Sequence, residues 1–256
     1  VRVNGYAPLH GSRNADVGFE IEGGPLAWWK LRAPRIAGTA HWRGETLTLT
    51  NVQMAFYGGA AAGVAELDFA PERGADFAIT VGVTNAALAA LLADLSARSN
   101  RLEGDLSGWV VARGNTAEPR TWSGQGRARL RDGFLWELPI FGVLSGPLDL
   151  ILPGVANSRF TEASARFTLT NGLIVWDRLE MRAPALRLQY AGTVDWDGRV
   201  DMRVEAEPLR DAPLLGRLFS FALWPVSKLF QYRITGTLAE PKTEPTYVPK
   251  WFLFPL

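Results

Sequence analysis

The sequence predicts a mainly β protein built from antiparallel strands. Apolar and polar residues alternate along many short runs, dipeptides that suit tight turns separate these runs, and the 256 residues include 26 Gly and 16 Pro. Alternation with a period of two places apolar side chains on one face of a strand, whereas a helix needs a period near 3.6. We therefore expect a sheet with one apolar and one polar face.

The alternation is clearest over residues 199–207. There Val200, Met202 and Val204 share one face, while charged residues occupy the other. By the same pattern, strands are predicted over five further runs: 75–83, 125–131, 163–170, 186–190 and 232–238.

Turn residues separate these runs. The dipeptides Asp132-Gly133, Asn171-Gly172 and Asp197-Gly198 adopt positive φ at low cost, as tight hairpins require. The loop-forming residues 71–74 (PERG) occupy a similar place. Neighbouring strands are therefore expected to be antiparallel.

Three segments break the alternation and predict helices. The first lies near residues 84–99, with Asn85 as a candidate N-cap, and the second is a short helix near 138–146, followed by a strand. The third, near 212–230, is apolar around most of its circumference, so part of it should face a groove mouth, a partner or a membrane. The interface candidates are Phe219, Phe221, Leu223 and Trp224.

One octapeptide occurs twice in similar form. GNTAEPRT spans residues 114–121 and GTLAEPKT spans 236–243, each after a similar series of strands, turns and a helical segment. This spacing predicts two imperfect repeats, residues 1–123 and 124–256, with Glu118 and Glu240 at equivalent positions. Proline ends a strand because it cannot donate to the ladder, so the octapeptide is interpreted as a strand terminator rather than a ligand site.

Charge and composition argue against several functions. The net charge is +1, from 27 bases and 26 acids, which gives no electrostatic basis for a nucleic-acid partner. The sequence has no cysteine, and neither His10 nor His41 has a partner at metal-ligand spacing. Neither GxSxG nor a phosphate-binding loop occurs. We therefore predict a protein that is not an enzyme, with no catalytic residue, metal or cofactor.

Three stretches resemble the AsmA-like family of Gram-negative envelope proteins. Residues 232–245 (YRITGTLAEPKTEP) resemble the segment that closes their C-terminal domains, and residues 126–148 and 186–209 resemble the segments before it. The similarity covers residues 124–249 well and the first half as a weaker copy. The resemblance implies a strongly curved antiparallel sheet that forms an open, half-barrel-like groove with an apolar interior.

The resemblance also implies a function. The expected chain is a periplasmic lipid-handling module that bridges or transports phospholipid between the inner and outer membranes and supports outer-membrane assembly. It would be anchored in the inner membrane through a segment outside this sequence. Its partners would be phospholipid or another acyl lipid, a membrane surface or an outer-membrane protein, and the rest of a longer AsmA-like chain.

The groove lining is predicted from the apolar faces of the strands. The candidates are Phe77, Ile79, Val81, Phe167, Leu169, Leu186, Leu188, Met202 and Val204. In an open groove, aspartate at Val81 or Val204 should stay hydrated and leave the fold intact. The same alternation also fits a closed β-sandwich with a filled core, which would bind or scaffold a protein or glycan partner.

Overall fold

The computed structural model describes residues 2–6, 16–28, 30–95, 102–151, 154, 158–209 and 230–247. Within these residues the protein is mainly β, as predicted. The strands are β1 (Arg2–Tyr6), β2 (Asp16–Gly23), β3 (Leu26–Trp28), β4 (Leu31–Ala33), β5 (Ile36–Arg43), β6 (Thr46–Phe56), β7 (Gly59–Asp68), β8 (Asp76–Ala87), β9 (Glu103–Asn115), β10 (Glu118–Phe134), β11 (Phe160–Thr170), β12 (Leu173–Arg182), β13 (Leu186–Asp195), β14 (Arg199–Pro208), β15 (Phe230–Thr237) and β16 (Pro241–Tyr247). The helices are α1 (Leu88–Leu95), α2 (Pro139–Gly142) and α3 (Ser145–Ile151).

The strands follow one another in the order of the sequence. The order in the large sheet is β1-β2-β5-β6-β7-β8-β9-β10-β11-β12-β13-β14-β15-β16, and β3 pairs with β4 in a separate hairpin. Every pairing with a defined register is antiparallel. Short turns join many of the neighbouring strands, whereas longer segments connect β8 to β9, β10 to β11 and β14 to β15.

Two of the three predicted hairpin turns are confirmed. Asn171 and Gly172 join β11 to β12 with φ of 49° and 78°, and Gly198, with φ of 79°, follows the turn between β13 and β14. The third prediction is wrong, because β10 continues through Asp132-Gly133. Asp132 still has a φ of 51°, so the dipeptide marks an irregularity within a long strand instead of its end.

The predicted helices need correction. α1 begins at Leu88, because β8 extends through Asn85, whose backbone N–H is bonded to the Ser107 hydroxyl; Asn85 is therefore not an N-cap. Near 138–146 there are two short helices, and α3 replaces the predicted strand. The helix predicted near 212–230 lies outside the described residues up to Phe230, where β15 begins. No helix in the described residues is long and apolar enough to cross a bilayer.

The chain divides into two compact units. Unit 1 comprises Val1–Ser99, Asp105–Ala128 and Thr168–Gly172, and unit 2 comprises the remainder. The division falls within β10, five residues beyond the boundary predicted at 123/124.

Unit 2 has a closed apolar core. Leu188 and Val204 on neighbouring strands are 0% exposed, and Tyr190 is 1% exposed. Phe141 of α2 meets the ring of Tyr190 edge-on, with 5.4 Å between centroids, so this short helix covers part of the sheet. Buried residues alternate in the same way along β13, β14 and β15, and further core residues lie on α3, β11 and β12, among them Leu148, Phe160 and Met181.

Candidate functional site: the apolar face of unit 1

One face of the unit 1 sheet is apolar across six consecutive strands in space. The register places one row of side chains on this face, from β2 to β9: Phe19, Ala40, Leu49, Ala65, Ile79 and Ala112. A second row, from the same strands, comprises Val17, Trp42, Leu47, Leu67, Phe77 and Gly114. We call this surface, with the matching positions of β10, the apolar face of unit 1.

The larger side chains of this face remain partly exposed. Phe77, Ile79 and Val81 of β8 are all of intermediate exposure, as are their large apolar neighbours on β6 and β9. In the strands that form this face from β2 to β9, the buried apolar residues are all alanine, namely Ala40, Ala61, Ala86 and Ala112. A filled core would instead bury its largest side chains most completely, as unit 2 does. The apolar face of unit 1 is therefore open to a further apolar layer.

The opposite face of the same strands is mainly polar. Glu66, Thr80 and Arg113 project from it, and Val64, Trp109 and Val111 are exposed on the same side. His41 lies on this polar side, where its Nε2 is 2.7 Å from Oδ1 of Asp16. This contact is solvent-accessible, since both side chains are more than 40% exposed.

Aromatic rings lie at one end of the apolar face. Trp42 stacks on Phe69 with 5.5 Å between centroids, and Phe77 meets Trp122 edge-on at 5.1 Å. Both indole N–H groups donate to turn carbonyls, from Trp42 to Gly44 and from Trp122 to Asn115. These tryptophans thus offer apolar rings to the face while their polar atoms are satisfied at the rim.

A polar cluster lies at the other end of the strands. The Asp94 carboxylate at the end of α1 accepts bonds from the Arg32 guanidinium and from the Tyr57 hydroxyl, the latter at 2.7 Å. These bonds, that of Arg32 first, lower the pKa of Asp94 to about 2. Hydrogen bonding to Asp94 and partial burial raise the pKa of Tyr57, burial having the larger effect. The cluster ties the β3–β4 hairpin, the β6–β7 turn and α1 together.

The predicted groove residues are divided between the two units. Phe77, Ile79 and Val81 lie on the apolar face of unit 1. Leu186, Leu188, Met202 and Val204 are at most 3% exposed in the core of unit 2, which matches the buried-core alternative for these positions. In the same unit, Phe167 is partly exposed and its ring lies 5.5 Å from that of Trp176.

The remaining predicted positions are placed separately. Leu169 is 8% exposed and lies in the short stretch of β11 that belongs to unit 1. The interface candidates Phe219, Phe221, Leu223 and Trp224 lie outside the described residues.

Sequence reasoning missed most of the apolar face. The alternation in β6 changes phase at a bulge between Leu49 and Val52, where Asn51 has a φ of 51°. Leu47 and Leu49 therefore share a face with Val52 and Met54 although a strict period of two would separate them. Asparagine in the middle of an alternating run is the signal that could have located this bulge.

No group of three or more His, Asp or Glu side chains within the described residues could hold a metal ion. The chain matched no protein-family model, and searches of curated proteins and of solved structures found no match.

Proposed function

We propose that this chain is a lipid-handling module of the AsmA-like kind, and that acyl chains bind on the apolar face of unit 1. The observation that supports this most strongly is the partial exposure of the large apolar side chains there, while only alanines are fully buried. Hydrocarbon in contact with this face would remove water from those side chains at a gain of about 25 cal/mol per Å².

We also propose that this face is concave. A Cβ added to Gly63 on the apolar face would collide with the Thr80 carbonyl oxygen of the next strand, and one added to Gly124 would collide with that of Val111. By contrast, the nearest atoms to a Cβ on Gly82, which points to the opposite face, are 3.9 Å away. The backbones of neighbouring strands therefore approach closely on the apolar face and leave room on the opposite face. This difference supports a sheet that curves towards the apolar side.

The proposal includes the predicted internal repeat. Both octapeptides form strand connections, from β9 to β10 and from β15 to β16. The N–H of Thr116 donates to the Ala75 carbonyl at 2.9 Å, and that of Leu238 donates to the Gly198 carbonyl at 2.8 Å. Ala75 immediately precedes β8, which pairs with β9, and Gly198 immediately precedes β14, which pairs with β15. Equivalent contacts at both copies support duplication of one strand unit.

Unit 2 has a different role in this proposal. Its fully buried Leu188 and Val204 fit the closed-sandwich alternative for that unit, so lipid binding is assigned to unit 1 alone. The AsmA-like resemblance is the basis for the periplasmic location and for phospholipid as the lipid. It is also the basis for transfer between the two membranes, for a role in outer-membrane assembly and for attachment to a longer, membrane-anchored chain. Nothing in this role requires catalysis or a cofactor.

Charge substitution on the two faces of unit 1 tests the proposal. Val81 lies on the apolar face, whereas Val64 on the neighbouring strand projects from the opposite face and is 47% exposed. We expect phospholipid to copurify with the wild-type protein and with the Val64→Asp control, as detected by native mass spectrometry, and to be lost from Val81→Asp. Equal lipid occupancy in the two variants, or no lipid in the wild type, would contradict the proposal.

A further inference from the structure

The leucine side chains of helix α1 form a stripe on one side of the helix, and this stripe is not fully buried. The stripe comprises Leu88, Leu91, Leu92 and Leu95, all of intermediate exposure. The opposite side, with Ala89, Ala90 and Ala93, is exposed, and no residue of the helix is buried. A helix that contributed to a finished core would bury such a stripe. The apolar side of α1, like the apolar face of unit 1, is therefore incompletely covered.

The helix lies at one end of the apolar face of unit 1. It follows β8 directly and packs against β8 and β4. The Ala87 N–H, immediately before the helix, donates to the Tyr57 carbonyl in the β6–β7 turn at 2.8 Å. A backbone hydrogen bond thus fixes the start of α1 to the sheet, and polar side chains hold its C-terminal end.

Those polar contacts converge on one carboxylate. Asp94 accepts bonds from Nε and Nη2 of Arg32 and from the Tyr57 hydroxyl, and its side chain is only 11% exposed. At the next residue, Lys30 Nζ donates to the Leu95 carbonyl at 3.1 Å. The β3–β4 hairpin therefore holds the C-terminal end of α1 through charged groups, and bonds of this kind are stronger than neutral ones.

We propose that α1 is a gate at this end of the apolar face of unit 1, that Asp94 is its latch, and that acyl chains pass between the leucine stripe and the sheet when the latch opens. This proposal rests on the proposed function. Release of Asp94 would free the end of the helix while the backbone bond at Ala87 keeps its start in place. An acyl chain would then complete the burial of the stripe, which gives lipid a direct energetic coupling to the position of the helix.

Two variants change the latch in opposite directions. Asp94→Asn removes the charge that holds Arg32 but is nearly isosteric. Ala27→Cys with Ala90→Cys creates the only two thiols of the chain, because the sequence has no cysteine. Ala27 is the cross-strand partner of Arg32, and Ala90 precedes Asp94 by one helical turn; both are exposed, so a flexible bis-maleimide can join them across the latch.

The measurement is the transfer rate of a fluorescent phosphatidylcholine from loaded protein to phosphatidylcholine vesicles. We expect Asp94→Asn to transfer roughly tenfold faster than the wild type, as loss of about one charge-assisted hydrogen bond implies. The cross-linked double variant should transfer roughly tenfold slower than its uncross-linked form. Arg35→Gln is the control, since Arg35 lies three residues after Arg32 but pairs with Glu22 of β2.

The outcomes separate the gate from the underlying function. Wild-type protein that takes up no phosphatidylcholine would overturn the lipid-binding proposal and the gate with it. If the wild type binds lipid, and if Asp94→Asn and the cross-linked variant both transfer it at the wild-type rate, the gate alone would be overturned. Acceleration by Arg35→Gln equal to that by Asp94→Asn would also overturn it, because the effect would then follow any charge loss near the hairpin.

Discussion

The Tyr57 hydroxyl donates to the Asp94 carboxylate at 2.7 Å and accepts from the Arg32 backbone N–H at 3.0 Å. Tyr57 lies in the turn between β6 and β7 with a φ of 47°, a conformation that few aromatic residues adopt. Since the side chain bridges a hairpin and a helix, the surrounding contacts stabilise this unusual backbone. Strained residues of this kind often lie where a structure carries a functional contact.

The contribution of Asp94 to stability should depend on acidity. Its pKa is lowered from 3.8 to about 2, first by Arg32 and then by Tyr57, so the folded state binds the proton more weakly than the unfolded state. The stabilisation is therefore complete above the unfolded pKa and is lost as pH falls towards 2. We expect the Tm difference between wild type and Asp94→Asn to be constant above pH 5 and to shrink between pH 4 and pH 2. Thermal melts that show the same difference at pH 2.5 and pH 6 would contradict this.

Removal of two tyrosine hydroxyls should have opposite effects. The Tyr190 hydroxyl is buried in the core of unit 2 and has no hydrogen-bond partner among the described residues, and burial raises the pKa of this residue. Tyr190→Phe should leave stability unchanged or raise it by about 1 kcal/mol, because an unpaired buried hydroxyl is unfavourable. Tyr57→Phe should lower it by about 1 kcal/mol through the loss of two bonds. Urea denaturation measures both, and a larger loss from Tyr190→Phe than from Tyr57→Phe would reverse the expectation.

Alanine should be tolerated at a glycine on one face and not on the other. At Gly124 an added Cβ would collide with the Val111 carbonyl oxygen, and a destabilisation of about 1–3 kcal/mol follows from such overpacking. At Gly82 there is room, and alanine should be neutral or stabilise by up to roughly 1 kcal/mol, since glycine loses more backbone entropy on folding. Chemical denaturation of the two variants distinguishes the crowded face from the open one; equal stabilities would remove the argument for concavity.

Aspartate should be far more harmful at Val204 than at Val81. Val204 is 0% exposed in unit 2, which removes the expectation that a charge there would stay hydrated. Val204→Asp should cost several kcal/mol, as an unpaired buried carboxylate does. Val81 is partly exposed on the apolar face of unit 1, and Val81→Asp should cost only about 1–2 kcal/mol. Far-UV circular dichroism during urea titration gives both values, and unfolding of Val81→Asp in buffer would indicate that this face is closed.

Strands were predictable from the sequence where alternation runs without interruption. β13 and β14 keep a period of two, as β8 does up to Val83, and strands occur where these runs predict them. Beyond Val83 a bulge at Asn85 carries β8 into the segment predicted to be helical. β6 was not recognised, because its bulge at Asn51 changes the phase of the pattern. The predicted turn at Asp132-Gly133 failed for a related reason: a residue with positive φ also fits inside a long strand.

The candidate site was less predictable than the strands. Val81 and Val204 both lie on the apolar side of similar alternating runs, yet one is partly exposed and the other is fully buried. The difference depends on what covers each sheet, such as the contact of α2 with Tyr190, and alternation carries no information about a covering layer. The contact of Asp94 with Arg32 was equally inaccessible, since 62 residues separate the partners.

Face-resolved photocrosslinking along β8 tests the central claim most directly. A diazirine-bearing amino acid is placed in turn at each residue from Phe77 to Val83, and the protein is irradiated with radiolabelled phospholipid. The side chains of Phe77, Ile79, Val81 and Val83 lie on the apolar face of unit 1, and those of Ala78 and Thr80 project from the other, as would a side chain introduced at Gly82. We predict labelling at the odd-numbered positions and little at the even-numbered ones. Uniform labelling, labelling of the even-numbered positions, or none at all would contradict the assignment of lipid binding to this face.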